Sequence, residues 1–199
     1  MTDDQTFRIA LIVGSALVLP VMAYFRIRSQ STREPLDRRK EGAFIYYTLR
    51  PLAIAPFGGL FAFMINPRWM EWASLPLPAI VRWGGIAVSV AAGFLILWTL
   101  RNLGPNLTDT VVTRKEHTLV SSGPYRWVRH PFYISGAMFV LGNGLAAANW
   151  FFLITGAAVI ALLVIRTRRE EEELLRRFGQ PYRAYVERTG RFIPKLSSR

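Results

Sequence analysis

Cysteine is absent from the 199 residues. That excludes disulfides, cysteine-ligated metals, a thiol nucleophile and cysteine lipidation of the chain itself. Negative charge is scarce: 13 Asp and Glu stand against 25 Lys and Arg, for a net charge of +12. An excess of this sign is a usual mark of nucleic-acid binding, but its distribution argues otherwise, because the cations lie between apolar runs, where membrane topology places them. No internal repeat and no low-complexity tract is present. Also missing is the regular polar interruption, once per turn, that a helix of a soluble core requires. What the chain has instead is apolar residues, 51% of the total, clumped into runs near the ~20 residues that span a bilayer core.

These runs predict an all-α integral membrane protein with about five transmembrane helices. The spans fall at about Phe7–Phe25, Phe44–Ile65, Ala79–Leu100, Pro131–Ala146 and Trp150–Ile165. Asp3 and Asp4 precede the first, and no small-residue cleavage site follows it, so it reads as a span and not as a cleaved signal. The second is expected to be interrupted at Arg50-Pro51 and Pro56. The last two are short and meet near Ala148-Asn149, which predicts a tight helical hairpin. The whole chain, 1–199, reads as one membrane domain, with three spans over 1–100 and a second region over 101–199. Segment 26–42 holds six Lys and Arg, segment 101–130 five and segment 166–199 ten, so 21 of the 25 lie on one side. The positive-inside rule therefore places the N-terminus outside and the tail in the cytoplasm. Trp69, Trp72, Trp83 and Trp150 fall near the outer ends, as interfacial aromatics do.

Two cytoplasmic segments are richer than connectors need to be. One runs from His117 through Gly123-Pro124-Tyr125 to Arg129-His130-Pro131-Phe132-Tyr133. In plain structural terms this is a turn followed by a proline at the first position of a helix. Yet free N–H groups at a helix start also hold anions, and Tyr125, Trp127, His130 and Tyr133 offer flat surfaces and donors suited to a nucleoside. The other begins Arg166-Thr167-Arg168-Arg169-Glu170-Glu171-Glu172-Glu173, continues through Phe178-Gly179, Tyr182 and Tyr185, and ends Arg191-Phe192-Ile193-Pro194. Its plain reading is a solvated amphipathic helix with i,i+4 ion pairs. Arg166 and Glu170, however, share one helix face at the membrane boundary. There an acid can take an amino group or ribose hydroxyls, and an arginine can grip a carboxylate or phosphate with its fork.

The ordered set Gly-Pro-Tyr, Arg-His-Pro-x-Tyr, hairpin, Arg-x-x-x-Glu-Glu, Phe-Gly-x-x-Tyr and Ile-Pro, over about Leu103–Pro194, resembles the isoprenylcysteine carboxyl methyltransferase family, which sits beside the membrane phospholipid N-methyltransferases. The resemblance implies a methyltransferase whose cofactor is S-adenosylmethionine, held over the hairpin by a cytoplasmic C-terminal cofactor-binding region. The Gly-rich strand–helix fingerprint of a soluble Rossmann methyltransferase is absent. His117, Thr118, Leu119, Val120, Tyr125, His130, Pro131, Phe132 and Tyr133 match the family's cofactor contacts. Glu170, with Glu171, matches the acidic contact, and Arg166 matches the arginine at the methyl acceptor. Arg129 joins the cofactor set by its place in the same motif. No metal is expected. The implied reaction is O-methylation of the carboxylate of a prenylated or other lipophilic substrate that enters from the bilayer among membrane lipids. Methylation of a phospholipid or other amine, and a non-catalytic membrane scaffold, remain open at this level. A reporter fused after Arg199 is expected to be active only in its cytoplasmic form; activity of an exported reporter at that site would reverse the orientation.

Overall fold

The computed structural model describes residues 3–30, 43–104 and 118–195. Six α-helices account for most of them: α1 (Asp3–Gln30), α2 (Ala43–Ile65), α3 (Ala79–Leu103), α4 (Pro131–Ala146), α5 (Trp150–Phe178) and α6 (Gln180–Arg188). Short 3₁₀ helices cover Pro67–Ala73 and Gly123–Arg126. Among the described residues β-pairing is limited to two isolated bridges, Ser74 with Asn149 and Val128 with Gly190. Helices α1, α2, α3 and α5 are long and apolar enough to cross a membrane. Helix α4 has 16 residues, about 24 Å at 1.5 Å per residue, against a hydrocarbon core of about 30 Å.

Helix α2 runs unbroken through Pro51 and Pro56, where the sequence suggested interruptions. A freed carbonyl finds no water in the bilayer, so a spanning helix tolerates proline where neighbouring helices, side-chain donors or small local adjustments of the backbone satisfy that carbonyl. The fifth apolar run also extends further than expected. Its hydrophobic part ends at Ile165, and the charged segment that follows continues the same helix, giving α5 29 residues, or about 43 Å. The last two to three turns of α5 therefore project beyond a ~30 Å hydrocarbon layer.

Long-range hydrogen bonds define the two ends of the bundle. At one end Arg82 of α3 bonds Asp4 of α1 at 2.7 Å and the Ala146 carbonyl of α4 at 3.0 Å, and its guanidinium lies 4.0 Å over the Phe7 ring. Arg8 reaches the Met64 and Ile65 carbonyls at the end of α2. Asn149 caps α5 by accepting from the Phe152 N–H, while its own amide donates to the Met70 carbonyl. Exposed Trp69, Trp72, Trp83 and Trp150 gather here, as expected from the sequence, with Trp72 and Trp150 edge to face at 5.4 Å. At the opposite end Trp98 of α3 meets Trp127 at 5.6 Å, and Ser122 donates to Asn102 at 3.1 Å. Helix α4 thus starts at the Trp98 end and finishes at the Arg82 end, antiparallel to α3 and α5.

Without a hydrophobic driving force between helices in lipid, close packing depends on small residues. Gly85 of α3 faces Gly142 of α4 so closely that a Cβ at Gly142 would stand 2.7 Å from the Gly85 carbonyl oxygen and 2.4 Å from Ser89 Oγ. Ala146, Ala147, Leu60, Phe63, Met64 and Phe152 pack together beneath the Arg82 end. The Gly142→Val substitution is expected to force α3 and α4 apart, at about 1–3 kcal/mol for overpacking. Thermal unfolding in detergent should show a lowered midpoint; an unchanged midpoint would mean that the contact is not as close as described.

Candidate functional site

The site forms where the start of α4 meets the projecting part of α5. The chain approaches through Thr118, which is exposed, and Leu119 and Val120, which are half-buried. At Gly123 the backbone turns with φ +57° and passes so near Asn102 that a Cβ would fall 2.4 Å from its side chain. This dual demand selects glycine. Pro124 and Pro131 are fully buried, the latter at the first helical position of α4, where its missing N–H costs nothing. Phe132, half-buried beside Pro131, has its ring edge-on to Tyr133 at 6.4 Å.

The tail folds back across this region. The left-handed turn at Gly179, φ +55°, ends α5 and starts α6. Tyr182 and Tyr185 then face inward from α6, both buried, and the Tyr185 hydroxyl donates to the Tyr125 carbonyl at 2.7 Å. Residues 189–191 next pair alongside 127–130. The Arg129 N–H donates to the Gly190 carbonyl at 2.9 Å, the Gly190 N–H to Trp127 at 3.1 Å, and the His130 N–H to Arg191 at 3.1 Å. The Tyr125 hydroxyl is pushed well above its ordinary range by burial first and then by the negative charge of Glu170.

Two carboxylates meet these aromatic and basic residues. Glu170 Oε2 accepts the Tyr133 hydroxyl at 2.6 Å. Glu171 Oε1 accepts from Arg129 Nε at 2.9 Å, His130 Nε2 at 3.1 Å and Arg191 Nε at 3.1 Å, and Glu171 Oε2 accepts from the second nitrogen of the Arg191 fork. A carboxylate accepts only, so Nε2 of His130 carries the hydrogen in this contact. The His130 ring stacks on Tyr133 at 5.3 Å with a 15° interplanar angle, and Phe192 lies 5.6 Å away on a tilted plane. Arg166, one turn before Glu170, is buried and close enough to act electrostatically on the Tyr133 hydroxyl.

The structure thus brings together Tyr125, Arg129, His130, Tyr133, Arg166, Glu170 and Glu171 from the two segments marked in the sequence. Residues 118–120 stand apart from the chain of hydrogen bonds just described, and His117 lies outside the described residues. The sequence reading passed over Tyr182, Thr189, Arg191 and Phe192 as site residues. Tyr182 places a buried hydroxyl, without a hydrogen-bond partner among the described residues, close enough to Glu171, Arg129 and Glu170 to feel their charges. The signal for Arg191 and Phe192 was the late Arg-Phe-Ile-Pro run, whose return to the start of α4 no spacing rule foretells.

Burial alone would raise the Glu171 pKa. The hydrogen bonds from His130, Arg191 and Arg129 outweigh it and hold the carboxyl well below the usual carboxylate range. A carboxyl depressed on folding contributes stability that is complete above its ordinary value of 4.5 and fades as pH falls from there toward the folded value. Scanning fluorimetry from neutral pH down to about 3.5 should therefore show Glu171→Gln less stable than wild type near neutrality and converging with it in acid. Parallel curves would contradict the assignment.

The isoprenylcysteine carboxyl methyltransferase family model matches residues 85–176, a stretch running from α3 through the hairpin to both glutamates. Comparison with curated proteins gives no match. Among solved structures the chain is similar to the eukaryotic intramembrane Ras methyltransferase, isoprenylcysteine carboxyl methyltransferase, with TM-score 0.56 and 20% identity, over 93% of this chain. The chain spans 63% of that protein's length. At this identity the likeness is one of fold, and the fold is that of a multi-pass membrane protein. Over residues 85–176, under half of the chain, the sequence is similar to the isoprenylcysteine carboxyl methyltransferase family.

Proposed function

We propose that the chain is a membrane methyltransferase that uses S-adenosylmethionine to O-methylate the carboxylate of a prenylated or otherwise lipophilic acceptor. One observation carries this reading. Within the family-matched region, motifs 37 residues apart meet through the Tyr133–Glu170 hydrogen bond, with buried Arg166 one turn away. The residues present fit the cofactor by their chemistry. Stacked His130 and Tyr133 offer a face to a nucleobase, Glu170 an acceptor for an amino group or ribose hydroxyls, and the buried Tyr182 hydroxyl lacks the partner that such burial normally requires.

When bound, S-adenosylmethionine supplies a methyl group already activated by its sulfonium charge. An acceptor carboxylate is ionised at neutral pH and needs no general base, so the work of the chain is to orient and to exclude water. Orientation of this kind is worth up to ~7–11 kcal/mol of a barrier. Arg166 presents a planar fork for two acceptor oxygens. Val164 and Ile165, directly before it, are exposed, so a lipid tail lies along apolar surface while its head reaches the arginine. The site faces the cytoplasm in this reading, with the N-terminus outside. Helix α4 is the fifth span, supported by its run from the Trp98 end to the Arg82 end.

Arg166→Lys keeps the charge and loses the fork. Insertion and cofactor binding are expected to persist while methyl transfer at saturating cofactor falls roughly ten- to a hundred-fold, the effect of losing one positioned charged contact of about 1.5–3 kcal/mol. Arg168→Lys serves as the control. Near-wild-type turnover in Arg166→Lys would return the residue to a topology anchor that snorkels to the interface. Release of the label by mild base would mark the product as an ester; a base-stable product would shift the acceptor to an amine.

A further inference from the structure

The adjacent glutamates of α5 have different surroundings. A carboxylate offers about four lone-pair sites. Glu171 takes four donors, Arg129 Nε, His130 Nε2 and Arg191 Nε on Oε1 and the second nitrogen of the Arg191 fork on Oε2. Glu170 accepts from Tyr133 alone among the described contacts. Glu171 is thus committed mainly to protein donors, whereas Glu170 keeps most of its acceptor capacity. The three groups on Glu171 also come from two separate pieces of chain. Arg129 and His130 precede α4, and Arg191 belongs to the tail. We infer that Glu171 is a positioning residue that clasps the tail hook, Thr189–Phe192, onto the start of α4, and that the closed hook forms one wall of the cofactor site. The inference rests on the function proposed above.

Several independent contacts converge on the same closure. The hook pairs with Trp127–His130 through three backbone hydrogen bonds. Arg129 spans the joint, donating to the Thr189 carbonyl at 2.6 Å as well as to Glu171. The buried Thr189 hydroxyl closes the end of α6 on the Tyr185 carbonyl. Phe192, carried by the hook, lies against the His130 ring that stacks on Tyr133. Arg129 and Arg191 are like charges brought to one oxygen, so the hook stays shut only while a negative charge lies between them. Removing that charge leaves two arginines facing one another and frees Phe192 and His130 together. The effect then falls on cofactor affinity, because the acceptor fork of Arg166 is untouched.

The test uses the full chain in nanodiscs, with backbone hydrogen exchange read by mass spectrometry, S-adenosylmethionine titration and initial-rate kinetics. Glu171→Gln and Arg191→Gln should each speed exchange in the peptides covering 127–130 and 189–192. Each should weaken cofactor binding about tenfold and leave turnover at saturation nearly unchanged, and the double variant should be no worse than either single one, as for a coupled pair. Glu170→Gln should weaken binding with hook exchange as in wild type. Weakened binding in Glu171→Gln with wild-type exchange would make Glu171 a direct contact and overturn the inference, as would additive effects in the double variant. Should Glu171→Gln fail to fold, Arg191→Gln decides alone, since it leaves Arg129 and His130 on the carboxylate. A wild-type protein that binds no S-adenosylmethionine would defeat the proposed function, while the exchange measurements would still judge the clasp.

Discussion

One half-buried carboxylate joins the two halves of the site. Glu171 stands where the projecting part of α5, the turn into α4 and the returning tail all meet, and its charge is the only anion among the groups that contact it. Isolated burial of such a charge is strongly unfavourable. Here it is offset by two guanidinium groups and an imidazole N–H at hydrogen-bonding distance, and this surplus of donors fixes the path of the tail. The tail then fixes the aromatic surfaces. Tyr185 reaches Tyr125, Phe192 reaches His130, and the stack continues to Tyr133. The adjoining residue, Glu170, accepts from Tyr133 alone among the described contacts.

The second constraint is the length of α5. A single rigid helix carries the lipid-facing residues up to Ile165, then the buried Arg166, and the two glutamates one turn later. Helical continuity sets the height of each above the apolar layer, so no loop intervenes between the membrane and the chemistry. Asn149 starts this helix in register by bonding both its own first turn and the Met70 carbonyl. The far end of the bundle, built on Arg82 and Asp4, therefore holds the depth of the site at the near end.

Much of this was legible in the sequence. The hairpin boundaries Pro131–Ala146 and the start at Trp150 agree with the structure, because proline, asparagine and a positive-φ residue, Ala148, punctuate them. The grouping of His130 and Tyr133 with Arg166, Glu170 and Glu171 came from the family resemblance, and Arg129 from its place in the same motif; the hairpin returns its end to its beginning and so brings them together. What composition could not reveal was tertiary. Prolines 51 and 56 read as breaks because sequence alone does not show what packs around the carbonyls they free, and a spanning helix continues where its surroundings satisfy them. The span reads as ending at Ile165, where apolar residues give way to charged ones, and the helix read in the charged segment continues it without a break. Arg191 and Phe192 carry no periodic signal at all; their importance comes from a reversal of the chain at Gly179 that places them beside residues sixty positions earlier.

The shortness of α4 has a consequence for the lipid around it. Its far end meets Arg82 of α3 through the Ala146 carbonyl, and its 16 residues compare with 25 in α3 and 29 in α5. An apolar helix shorter than the hydrocarbon layer is matched by local thinning of that layer. In the proposed function this thinning lowers the boundary between the two solvents toward the buried Arg166.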